Sequence, residues 1–74
     1  MAAANVWVVR HGDAWAVRRE GNKEPLGVHD TQQKAVSAGR QVAQAGKTEL
    51  IVQGRDGEIR EKHSYGHDPR SVEG

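Results

Sequence analysis

The chain has 74 residues, enough for one small domain that buries roughly 62% of the surface its extended form exposes. It contains no cysteine, so neither disulfides nor thiolate-bound metals can supplement so small a core, and association with a second copy is one remaining way to enlarge it. Eleven Lys and Arg against ten Asp and Glu leave a formal charge of +1, far from the basic excess of an overt nucleic-acid binder, and the absence of a leader-like start or a long apolar run makes a soluble, cytoplasmic protein with no membrane partner the expectation.

From Val6, the run Val6-Trp7-Val8-Val9-Arg10 is β-branched or aromatic, His11-Gly12-Asp13 supplies turn chemistry, and Ala14-Trp15-Ala16-Val17-Arg18-Arg19 resumes a strand. A two-residue Gly12-Asp13 loop sets Arg10 opposite Trp15 and Val8 opposite Val17, so that Val6, Val8, Trp15 and Val17 share the core face. After a polar turn, the short Leu26-Gly27-Val28 adds an edge strand, with Pro25 tolerable only at its start. Asp30 is placed to cap a helix, accepting from the Gln33 amide, and the helix then runs to about Ala45. Its apolar half is made of Ala35, Val36, Ala38, Gly39, Val42, Ala43 and Ala45, so it can lie close to a sheet, with Gly39 marking the contact. Gly46 is placed to close the helix in the left-handed conformation.

Glu49-Leu50-Ile51-Val52-Gln53 and Glu58-Ile59-Arg60-Glu61-Lys62 form a second hairpin around Gly54-Arg55-Asp56-Gly57. A four-residue loop pairs Val52 with Ile59, which directs Leu50, Val52 and Ile59 to the helix and Ile51, Glu58, Arg60 and Lys62 away from it; a two-residue Asp56-Gly57 loop would flip that register, and the lone apolar Ile59 favours the first choice. The expected fold is therefore α+β, two antiparallel β-hairpins packed on one amphipathic helix in the order ββ(β)αββ. It forms a single domain over residues 1–69, with a frayed tail over 70–74.

The stretch Gly12-Asp13-Ala14-Trp15-Ala16-Val17-Arg18-Arg19-Glu20-Gly21, then His29-Asp30-Thr31 with Lys34-Ala35, Gly54-Arg55-Asp56-Gly57 and Ser64-Tyr65-Gly66-His67-Asp68-Pro69, resembles the bacterial domain of unknown function 2188 family. The likeness covers nearly the whole chain, and several motifs in one order are more specific than any of them alone. The resemblance implies a small stand-alone bacterial protein and brings no established activity with it.

Catalytic chemistry finds little footing in these residues. No Ser/His/Asp arrangement has a nucleophile setting, Gly54-Arg55-Asp56-Gly57 lacks the strand-to-helix context of a phosphate loop, and Glu58 and Glu61 fall on opposite faces of a strand. His63 and His67 have a zinc-like spacing with Asp68 nearby, but Gly66 and Pro69 argue against the helix that such spacing needs. No catalytic residue, metal or cofactor is expected, and the protein is read as a non-enzyme. Tyr65, the tail's lone aromatic, either folds back over a core edge or joins His67 in a turn presented to a partner. Lys34 and Arg40 are read as a solvated charged face of the helix, with Lys34 placed to pair with Asp30.

The surface that asks for an explanation is the sheet face turned from the helix, which carries Trp7, Val9, Ala16, Arg18, Ile51, Arg60 and Lys62 in these registers. A lone domain rarely leaves such an apolar area wet. One use is closure against a second copy, with Trp7, Val9 and Ile51 as anchors and Arg18, Arg60 and Lys62 at the rim of a homodimer. The alternative is nucleic-acid binding, with Trp7 stacking on a base and Arg18, Arg60 and Lys62 contacting phosphates. A shifted register would instead put Trp7 in the core. No particular small-molecule ligand follows from these residues.

Overall fold

The structure, a computed structural model, describes residues 4–66. Its elements are β1 (Val6–His11), β2 (Ala14–Arg19), β3 (Gly27–His29), α1 (Gln32–Gly46), β4 (Glu49–Gln53) and β5 (Ile59–Ser64). The five strands form one mixed sheet in the order β3-β2-β1-β4-β5, and α1 packs across one face of it. The α+β class and the element order match the sequence reading, including the short third strand. The expected tail beyond Gly66 lies outside the described residues.

The first hairpin has the expected register, Arg10 opposite Trp15 and Val8 opposite Val17. Gly12 takes the positive φ, 61°, that a tight primed turn needs. The two hairpins are joined through their inner strands, because β1 and β4 pair in parallel with Val6 opposite Leu50 and Val8 opposite Val52. The crossover between them contains β2, β3 and α1. Asn5 ties this junction together: its carbonyl accepts from the Glu20 amide, and its Oδ1 accepts from the Glu49 amide at 3.1 Å.

Val6, Val8, Trp15, Val17, Leu50 and Val52 fill the space between sheet and helix, with Ala35 and Ala43 buried above them. At Gly39 a Cβ would stand 3.0 Å from Leu50 Cδ1 and 3.2 Å from Val8 Cγ2, so this position does mark the closest approach of helix to sheet. Both helix ends shift by one residue from expectation. Thr31, not Asp30, is the N-cap, its side chain accepting from the Lys34 amide at 3.1 Å. Asp30 instead forms the expected ion pair with Lys34, at 3.2 Å. At the other end Gly46 stays helical, and Lys47 takes the left-handed conformation at φ 56°, its amide shared between the Ala43 and Gln44 carbonyls. No described helix is long and apolar enough to cross a membrane.

The second hairpin departs from its expected register. Gln53, not Val52, lies opposite Ile59, and Val52 lies opposite Glu61, with a bulge between them at Arg60. The turn is held by the Gly54 amide donating to the Glu58 carbonyl at 2.8 Å, so Glu58 belongs to the turn rather than to the strand. The bulge adds one residue and reverses the side on which Ile59 and Arg60 lie.

Candidate functional site

The sheet face away from α1 has two cross-strand rows. One runs Arg18, Trp7, Ile51, Lys62 across four paired strands, and the other is made of Val28, Ala16 and Val9 across β3, β2 and β1 and of the pair Gln53 and Ile59 across β4 and β5. Of the residues expected here, Trp7, Val9, Ala16, Arg18, Ile51 and Lys62 all take their places, so Trp7 belongs to this face and not to the core. Ala16 and Ile51 are buried, at 1% and 4% exposed, although no element of the described chain covers them. Val28 and Ile59, at the two ends of the second row, are 48% and 56% exposed.

Two of the expected positions are corrected. Ile59 was to face the helix and Arg60 the outer surface, and the bulge exchanges them. Gly54 continues the helix-facing alternation of Leu50 and Val52, and the Arg60 side chain lies where a Gly54 Cβ would project. Arg60 therefore leaves the outer face, and Ile59 joins it. Sequence alternation alone misses this, because β5 holds a single large aliphatic residue and nothing in its pattern marks a bulge.

The charges on the outer face come in both signs. The Trp7 indole N–H donates to Glu20 Oε1 at 3.1 Å, which fixes the ring beside Arg18. Arg18 Nη2 donates to the Asn22 carbonyl at 3.1 Å. Lys62 Nζ lies 3.6 Å from Glu49 Oε1. A shallow groove of about 250 Å³ runs along Trp7, bounded by Val9, Arg18, Glu20 and Gln53.

Tyr65 packs against the core edge, half-buried, its amide donating to the Thr48 carbonyl at 3.1 Å and its ring stacked on His63 with centroids 6.5 Å apart. Of the two uses read for it, covering the core is the one observed. Its proposed companion His67, like Asp68, lies outside the described residues.

On the helix side, a wider open groove of about 750 Å³ lies where α1 begins and β1 and β4 end. Gln32 Nε2 donates to the Gln53 carbonyl at 3.1 Å and sets the start of the helix against the end of β4. Arg10, Arg40, Arg55 and Arg60 line this groove over an apolar floor that includes Trp15 and Val52. Arg10 lies over the Trp15 ring at 5.5 Å from its centroid. The sequence reading left this cluster unrecognised, since the four arginines are scattered from position 10 to position 60. A hint was present in Arg10 opposite Trp15 at the end of a strand.

Residues 6–65 match the family model described as an uncharacterized protein conserved in bacteria, DUF2188. The chain belongs to this family. It is also similar to the uncharacterized protein YdaT of Bacillus subtilis (strain 168), with 34% identity over 59 residues. That alignment takes in 80% of this chain but 39% of YdaT, so the family segment also occurs within a longer polypeptide. No solved structure matches the chain. The family relationship fixes kinship and agrees with the motif order from Gly12 to Tyr65, and it brings no activity with it.

Proposed function

We propose that this protein is a non-catalytic self-association module that forms a homodimer through the sheet face opposite α1. The observation that carries this reading is the outer face itself, where Val28 and Ile59 are exposed and Trp7 and Val9 are half-buried, with no described element packed over them. Its charges favour a second copy over other partners. Arg18 and Lys62 are balanced by Glu20 and Glu49 on the same face, so a two-fold contact can oppose each sign with its complement. A polyanion would meet both carboxylates, which weighs against the nucleic-acid alternative on this face. The sheet edges are less suited to pairing, since β3 has three residues and β5 carries Arg60, Glu61 and Lys62 in succession.

Light scattering on the eluting protein tests the reading. The expected mass is near twice 8.1 kDa, unchanged at high salt, with Ile59→Lys and Val28→Lys converting the protein to monomer while its thermal stability as a monomer is kept. A monomer at millimolar concentration in the unsubstituted protein would overturn it.

A further inference from the structure

We propose that the groove between the start of α1 and the ends of β1 and β4 binds the phosphate group of a small phosphorylated ligand. Four guanidinium groups reach it from four separate places: Arg10 from β1, Arg40 from α1, Arg55 from the β4–β5 turn and Arg60 from the bulge. Arginine presents a planar fork of donors that matches phosphate oxygens two at a time, and it keeps its charge at any ordinary pH. Like charges gathered in one groove repel one another, and an anion seated among them lowers that cost.

The acids Asp13, Asp30, Asp56 and Glu61 also stand at or beside the groove, and two of them are engaged by groups other than the arginines. Asp30 is held by Lys34 at 3.2 Å, and Glu61 is bonded to His63 at 3.1 Å. Asp56 touches Arg60 at 3.9 Å, and Asp13 lines the groove as the arginines do. Among the described residues no carboxylate pairs with Arg10, Arg40 or Arg55. Arg10 is aimed rather than free to swing, because its Nε donates to the Gly12 carbonyl at 2.7 Å while its head lies over Trp15. Arg60 is likewise placed by the bulge, lying over Gly54, where any larger residue would displace it.

The size and floor of the groove set the ligand class. A volume of about 750 Å³ is within the usual range for small-molecule sites, and half-buried Val36 gives its wall an apolar patch. The arginines converge on one groove instead of forming a track along the surface, which favours a compact ligand over an extended strand. This site is independent of the dimer reading, since the two lie on opposite faces of the sheet.

The test is a titration of the full chain with inorganic pyrophosphate at low salt, followed by backbone amide shifts. Saturable shifts are expected at Arg10, Arg55, Arg60 and at Thr31, Gln32 and Gln33, with Trp7 and Lys62 unmoved. Arg40→Gln and Arg55→Gln, two exposed positions outside the core, are each expected to weaken binding about fivefold and together more than tenfold, while Arg18→Gln on the other face changes nothing. Absence of saturable shifts, or shifts equal at Arg18 and Lys62, would overturn the site. A single-stranded oligonucleotide that binds tenfold tighter than pyrophosphate would overturn the compact-ligand assignment.

Discussion

Gly39 and Leu50 stand so close that a methyl group on the helix residue would lie 3.0 Å from Leu50 Cδ1. The helix pays for glycine at mid-length, by about 1 kcal/mol relative to alanine, and gains contact with the sheet. Gly39→Val is expected to lower stability by about 2–3 kcal/mol through overpacking, with Gly39→Ala costing less, because better helix propensity offsets part of the crowding. Urea unfolding of both variants checks the order. A Gly39→Val protein as stable as the original would mean that α1 can lift from the sheet without loss.

Thr31 and Asp30 separate two roles that one residue was expected to fill. Thr31→Ala removes the acceptor for the Lys34 amide and is expected to cost about 1 kcal/mol. Asp30→Ala removes only an exposed ion pair, and its effect is expected to stay within about 0.5 kcal/mol. Thermal melts of the two variants should differ by several degrees, with Thr31→Ala the lower.

Lys47 holds a left-handed conformation that a side chain resists. Replacing it with glycine relieves that resistance and leaves the shared amide bonds to Ala43 and Gln44 in place. Lys47→Gly is therefore expected to raise stability by about 0.5–1 kcal/mol, and Lys47→Val to lower it. A denaturation midpoint that falls for Lys47→Gly would count against the observed helix end.

Leu50 and Ile59 lie on the same hairpin with opposite environments, fully buried and 56% exposed. Leu50→Ala is expected to cost about 2–5 kcal/mol by leaving a cavity. Ile59→Ala should cost little stability in the monomer and act instead on association. Light scattering and unfolding on the same samples separate the two effects.

The first hairpin was legible because a two-residue loop leaves one register, and that register puts Val6, Val8, Trp15 and Val17 on one face. The helix was legible from its small apolar face, although its ends were misplaced by one residue, since Asp30 and Thr31 are both good caps and only the backbone decides between them. The β4–β5 register was not legible. With Ile59 as the lone large aliphatic residue in β5, alternation cannot distinguish a regular ladder from a bulged one. The parallel pairing of β1 with β4 had one trace in the sequence, the unbroken apolar run Leu50-Ile51-Val52, which suits a strand with neighbours on both sides. The arginine groove left no local pattern, because its members come together only when the crossover is complete.

The parallel pairing has a consequence for how the chain acquires its shape. Asn5 and Glu49 are bonded across a separation of 44 positions, so the innermost strand pair is among the most remote in sequence. Each hairpin closes a short loop, but neither has its hydrophobic complement within its own segment. The loop-closure entropy of the whole crossover must be met before Val6 and Leu50 reward it. The rate-limiting event is then expected to be the docking of two halves rather than the formation of either. Residues 4–30 and 31–66, supplied as separate peptides, should remain unstructured alone and assemble when mixed.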